Sequence, residues 1–160
     1  MHTPNLPEPI RARDIMTKKL VTLTPEMDVF DGIRLLLKNR ISGAPVISAE
    51  RELMGVFTEK CCMKVLVDAA YDQVPSNRVE VFMLTDFHTI DEELDLLSIA
   101  QKIWNTGERR LPVLKDGKLV GQVSRRDVMR AANSLIEIAP DKASSLLYIS
   151  ALVEMRESPI

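Results

Sequence analysis

The sequence predicts a mixed α/β (α+β) chain in which one β-α-β-β-α unit occurs twice and a further helix follows. Two observations carry this: an internal repeat, and strand and helix periodicities that come in the same order in both copies. The stretch "MTKKLVTLTPEMDVFDGIRLLLKNRISGAPVI" from Met16, set against "MLTDFHTIDEELDLLSIAQKIWNTGERRLPVL" from Met83, is displaced by 67 residues. It aligns Thr22 with Thr89, Glu26 with Glu93, Asp28 with Asp95, Pro45 with Pro112 and Val46 with Val113. Removing one residue from the next turn sets Leu53 on Leu119, Gly55 on Gly121, Thr58 on Ser124 and Met63 on Met129. Identity is low, but the matches fall at turns, caps and strand starts.

Each element has its own signal. A short strand carries "LVTL" in one copy and "FHTI" in the other. Asp28 and Asp95 then stand where a helix N-cap is wanted. Val29, Ile33, Leu36 and Leu37 recur at helical spacing in the first copy. Leu96, Ile99, Ile103 and Trp104 do so in the second, and Trp104 is read as a core residue. Strands follow at "APVI" and "LPVL". In the second copy Asp116-Gly117 is a two-residue hairpin signal joining "LPVL" to "LVGQV". A last helix in each copy begins after Thr58 or Ser124. The turn residues of "PSNR" mark the linker. The chain thus divides into an arm at 1–10 with three prolines, a first motif at 11–74, a second at 75–138 and a terminal segment at 139–160. A helix from Asp141 to Met155 is expected in that last segment, with Leu146, Leu147, Ile149, Ala151, Val153 and Met155 on a broad apolar face.

Bulk composition excludes several classes. A net charge of −2 gives no general affinity for nucleic acid, which needs a clustered basic surface. No apolar run approaches the roughly 18 residues of a membrane span. The two cysteines, Cys61 and Cys62, are adjacent, a poor arrangement for a disulfide or a metal site, and are read as small buried hydrophobes in a reducing cytosol. No nucleophile–base pair, metal-ligand cluster or phosphate loop is present, so no metal, no obligatory cofactor and no enzymatic activity is expected. His88 reads as a partly buried strand histidine, and Lys60, Lys64, Arg125, Arg126 and Arg130 as a basic rim or solvated surface.

The segment "GQVSRRDVMR" poses the functional question. Ser124 and Asp127 have the spacing of a capping box, in which each residue satisfies the other's backbone N–H. An acid after a strand-to-helix turn can equally accept the two hydroxyls of a ribose, as it does in dinucleotide folds. The ordered set "ISGAPV", "LMGVFT" and "RRLPVLKDGKLVGQVSRRDVM" resembles a tandem pair of cystathionine-β-synthase (CBS) domains, a Bateman module, over roughly residues 11 to 138. The resemblance implies two motifs packed about a pseudo-twofold axis, leaving two clefts that take adenosine-containing ligands such as AMP, ADP, ATP or S-adenosylmethionine.

Carried onto this chain, the resemblance implies one cleft with Ser124, Arg126 and Asp127 from the second repeat. Leu20, Val21, Thr22, Ser42, Gly43, Ala44 and Pro45 of the first repeat would complete it. The ribose falls to Asp127, the adenine edge to backbone near Val21 and Ala44, and a phosphate to the helix start with Arg125 or Arg126. The other cleft would hold Thr58, Lys60 and Cys61 against Phe87, His88, Thr89, Arg109, Arg110, Leu111 and Pro112. There a thiol replaces the ribose carboxylate and cannot accept from two hydroxyls. That cleft is expected to be empty, weak or altered in specificity. The function implied is a cytoplasmic, adenine-nucleotide-sensing regulatory module, a homodimer acting on a separately encoded effector. The alternative is a ligand-free interaction scaffold. Val65, Leu66 and Ala69 are expected among the exposed apolar residues of the dimer face.

Overall fold

The computed structural model describes residues 8–71 and 76–138, with 141 and 143. All but residues 141 and 143 of the helix expected from Asp141 to Met155, most of the arm and Pro75 of the linker lie outside the described residues. In chain order the elements are α1 (Ala12–Ile15), α2 (Val29–Asn39), β1 (Gly43–Ile47), β2 (Leu53–Thr58), α3 (Glu59–Ala70), α4 (Val79–Phe82), β3 (Ile90–Asp91), α5 (Leu96–Thr106), β4 (Arg110–Lys115), β5 (Lys118–Ser124) and α6 (Arg125–Ile138). Two sheets form, one ordered β1-β2 and the other β3-β4-β5.

Two compact units result, and each draws on both repeats. One contains residues 18–71, 76–89 and 114–121; the other contains residues 8–17, 90–113 and 122–138.

In the first unit, Asp28 caps α2 by accepting from the Phe30 N–H at 2.8 Å. α2 buries Val29, Gly32 and Leu36. β1 and β2 pair antiparallel, with Ala44 opposite Phe57 and Gly43 opposite Thr58. The core gathers Leu23, Val29, Leu36, Ala44, Val46, Phe57, Cys61, Cys62, Val65, Val79 and Phe82. Gly32 has a packing reason: a Cβ there would lie 3.1 Å from Leu23 Cδ2 and 3.3 Å from a Phe57 ring carbon. Gly55 is tighter still, since its Cβ would lie 2.8 Å from the Leu84 carbonyl oxygen, which accepts from the Val56 N–H.

In the second unit, Asp95 caps α5 by accepting from the Ser98 N–H at 3.0 Å. Leu96, Ala131 and Leu135 form a cluster joined by Ile10, Ile15 and Val128. The β4–β5 turn has Asp116 at φ 50° and Gly117 at φ 77°, the double positive φ that a type I′ hairpin requires.

The short helices are exchanged between repeats. α1 precedes the first repeat, yet Ala12 N–H donates to Leu94 and Arg13 N–H to Glu92, at the start of the second. α4 precedes the second repeat, yet Val79 N–H donates to Met27 and Glu80 N–H to Pro25, at the start of the first. Arg11 and Arg13 both pair with Glu93, reinforcing the first of these docks.

Several expectations are corrected. "LVTL" is not a strand; its only ladder contact is a parallel bridge from Leu23 to Val46. "FHTI" contributes only Ile90, at the start of the two-residue β3, and His88 is exposed outside any strand. Trp104 is 87% exposed, and Leu37, its counterpart in the first repeat, is exposed too. Each follows a core residue, Ile103 or Leu36, and one residue on turns about 100° around a helix, off a narrow buried stripe. Val65 is fully buried, whereas Leu66 and Ala69 are exposed as expected.

Candidate ligand-binding site

The corner between β5 and α6 is built by the predicted box. The Asp127 N–H donates to Ser124 Oγ at 3.2 Å, and the Ser124 N–H donates to Asp127 Oδ2 at 2.8 Å. The Ser124 hydroxyl also lies 2.9 Å from the same Oδ2. These bonds fix the carboxylate with its side chain 13% exposed and its second oxygen, Oδ1, 3.4 Å from Arg130 Nη1. An acid in the first turn also suits the positive end of the α6 dipole.

The neighbouring arginines separate into different jobs. Arg125 donates from Nε to the Glu108 carbonyl at 2.9 Å and from Nη2 to the Gly107 carbonyl at 2.7 Å. Its own N–H donates to Arg109 O at 3.0 Å. Arg125 is therefore a structural clamp on the end of α5, where Gly107 takes φ 72° as the left-handed C-cap. Arg126 is exposed and makes no hydrogen bond or ion pair among the described residues, so it can meet an anion at this corner. Arg109 and Arg110 are exposed at the start of β4, while Leu111 and Pro112 are buried.

The corresponding corner of the first repeat, between β2 and α3, is likewise a strand running directly into a helix, with different chemistry. Thr58 accepts from the Cys61 N–H at 3.5 Å. Cys61 Sγ lies 3.4 Å from Thr58 Oγ1 and 3.9 Å from the Val56 carbonyl oxygen, so the thiol is buried and turned onto its own turn. Lys60 is exposed beside it. Burial, the Cys61 thiol beside it and Glu59 push the Cys62 thiol up, against a backbone hydrogen bond that lowers it. Cys62 therefore stays a thiol at neutral pH and is a poor nucleophile. Both cysteines are free and buried, as the sequence suggested.

The expected adenine wall is brought together within its own unit. Leu23 N–H donates to Pro45 O at 3.0 Å and Ile47 N–H to Leu23 O at 2.9 Å. This lays the half-buried Val21 and Thr22 along the segment Ser42, Gly43, Ala44 and Pro45. Ser42 O accepts from the Glu59 N–H at 3.0 Å, so the wall also abuts the start of α3. His88 and Thr89 lie in the extended stretch before β3, His88 exposed and Thr89 half-buried. Sequence reasoning missed two roles, the clamp of Arg125 and the approach of Arg130 to Asp127. An i,i+3 acid–base spacing on one helix was the available signal for the latter.

Among the described residues no group of His, Cys, Asp and Glu could hold a metal ion. Among them, too, no helix is long and apolar enough to cross a membrane.

Two copies of a strand–turn–helix corner, each capped by a hydroxyl residue, define a tandem-repeat α/β module. The chain belongs to the CBS domain family, which it matches over residues 12–68 and again over 79–134. It is 28% identical over 128 residues to the A-adding tRNA nucleotidyltransferase of Aquifex aeolicus, covering 80% of this chain and 15% of that enzyme. It is also 28% identical over 128 residues to the uncharacterized protein MJ1225 of Methanocaldococcus jannaschii, covering 79% of this chain and 44% of that protein. The chain thus spans under half the length of either. Among solved structures it is similar to CBSX2 in complex with AMP, at 28% identity and a TM-score of 0.69, covering 78% of this chain and 97% of that one.

Proposed function

We propose that this chain is a regulatory module that senses an adenosine-containing ligand of the AMP, ADP, ATP or S-adenosylmethionine class, and that it acts through a ligand-dependent change in a homodimer. The observation that carries this reading is the Asp127 carboxylate, fixed by Ser124 through Oδ2, with Oδ1 met only by the long contact to Arg130 among the described residues. The similar protein CBSX2 has been crystallised with AMP. In this reading Asp127 accepts the ribose hydroxyls and Arg126 meets a phosphate. Val21, Thr22, Ser42, Gly43, Ala44 and Pro45 supply the adenine wall. The module carries no catalytic group of its own and passes its signal to a separately encoded effector. Thr58, Lys60, Cys61, His88, Thr89, Arg109, Arg110 and Pro112 form the degenerate counterpart.

Titration calorimetry with AMP, ADP, ATP and S-adenosylmethionine tests this reading, with one ligand per chain expected. Cys61→Asp should add a second equivalent, because it restores a carboxylate at the helix position that Asp127 holds in the other repeat. No heat from any of the four at millimolar ligand would overturn the reading. One ligand per chain in both proteins would show that the missing carboxylate is not what limits the Cys61 corner.

The dimer rests on α3. Met63, Leu66 and Val67 are exposed at helical spacing along it, and Tyr71 is exposed at its C-cap. A contiguous apolar stripe of this kind is unusual on a monomer, and a twofold pair is the commonest way to bury it. Light scattering should give twice the chain mass, and Leu66→Glu should halve it. A monomer at high concentration would support no dimer. If the chain also bound none of the ligands, the exposed stripe would favour the second reading, an interaction scaffold without ligand.

A further inference from the structure

We propose that Arg130 is a built-in competitor for the ribose site: its guanidinium holds the oxygen of Asp127 that a sugar must use, and so sets the affinity of the module. This rests on the reading of Asp127 given above. A carboxylate offers about four lone-pair positions, two on each oxygen. Oδ2 already takes the Ser124 N–H at 2.8 Å and the Ser124 hydroxyl at 2.9 Å. That hydroxyl is committed in both senses, since it also accepts from the Asp127 N–H at 3.2 Å. Oδ1 is the oxygen left for an outside donor, and Arg130 Nη1 faces it from the next turn of α6 at 3.4 Å. A ribose diol brings two donors. Placing both on this carboxylate requires the guanidinium to move away from Oδ1.

Arg130 can move. Its side chain is 70% exposed and the contact to Asp127 is long, so it is held loosely. The other cations of the corner do not share this role. Arg125 is tied to the carbonyls of Gly107 and Glu108, and Arg126 makes no contact with the carboxylate among the described residues. Binding would therefore exchange an intramolecular ion pair for two sugar hydrogen bonds and release one positive charge on the outer surface of α6, next to the exposed Met129.

The test uses adenosine, which is uncharged, so that a change in attraction to phosphate cannot mimic the effect. Calorimetry compares wild type, Arg130→Gln and Arg130→Lys at low and high salt. Arg130→Gln should bind adenosine about two- to fivefold more tightly, the range that losing an exposed ion pair allows. Arg130→Lys should stay near wild type. Affinity of the wild type should rise with salt as the pair is screened, and that of Arg130→Gln should change less. A stable Arg130→Gln protein that binds adenosine equally or more weakly than a wild type that does bind would overturn the competition while leaving the ribose role of Asp127 standing. A wild type that binds neither adenosine nor AMP would overturn both.

Discussion

Asp127→Ala is expected to lower adenine-nucleotide affinity by at least about a hundredfold while the chain stays folded. Each hydrogen bond from a ribose hydroxyl to a carboxylate contributes about 1.5–3 kcal/mol, so losing two removes roughly 3–6 kcal/mol. At about 1.4 kcal/mol per tenfold, that is a factor of a hundred or more. The structural cost is smaller. Losing a cap costs about 0.5–2 kcal/mol, against the roughly 5–15 kcal/mol of a typical domain. Asp127→Asn separates the two roles further. Its amide oxygen can still accept from the Ser124 N–H, so the corner is kept, but the charge and one acceptor are gone. Calorimetry and thermal melts on the three proteins should show stability in the order wild type, Asn, Ala, with both variants well below wild type in affinity. Wild-type affinity in Asp127→Ala would remove the carboxylate from the site.

The corner was legible because its chemistry is local. A Ser and an Asp three residues apart, placed after a strand, can satisfy each other's backbone only in one geometry, and the structure has it. The hairpin was legible for the same reason, since Asp116-Gly117 tolerates the positive φ that the turn needs. The misses come from contacts distant in sequence. "LVTL" has the composition of a strand, but a strand needs a partner along its length, and only Leu23 finds one. Helical spacing places Trp104 with the core residues of its helix, yet the width of the buried stripe depends on what packs against α5, which periodicity does not reveal. The exchange of α1 and α4 between repeats left no periodic trace, because each is a single turn held by backbone bonds to loop carbonyls. Arg125 and Arg126 are neighbours of identical chemistry. Only the path of α5 back to Gly107 and Glu108 makes the first a clamp and leaves the second exposed.

Phe57→Ala should be the most damaging single truncation in the unit that carries the proposed adenine wall. Phe57 is fully buried and is the largest of the fully buried side chains. It sits on β2 opposite Ala44 of β1, one residue before the Thr58 cap. Its ring packs over Gly32, where an added Cβ would come within 3.3 Å of Cε1. That neighbour has no side chain to swing into the void, and the opposing Ala44 has only a methyl group. Collapse around the site is therefore limited, and the cost should fall in the upper part of the usual range of about 3–5 kcal/mol for a buried Phe→Ala change. For a chain of this size, 1 kcal/mol shifts the melting midpoint by roughly 2–4 °C, so a fall of about 8–20 °C is expected. Phe57→Leu keeps most of the volume and should cost much less. Urea melts at constant m-value should show this order, since an unchanged slope means that stability rather than compactness has shifted. The damage should spread to ligand affinity, because Ala44, opposite Phe57 on β1, belongs to the proposed adenine wall. An Ala variant within about 1 kcal/mol of wild type would mean that the core closes over the gap, and that Gly32 and Ala44 are less fixed than their packing implies.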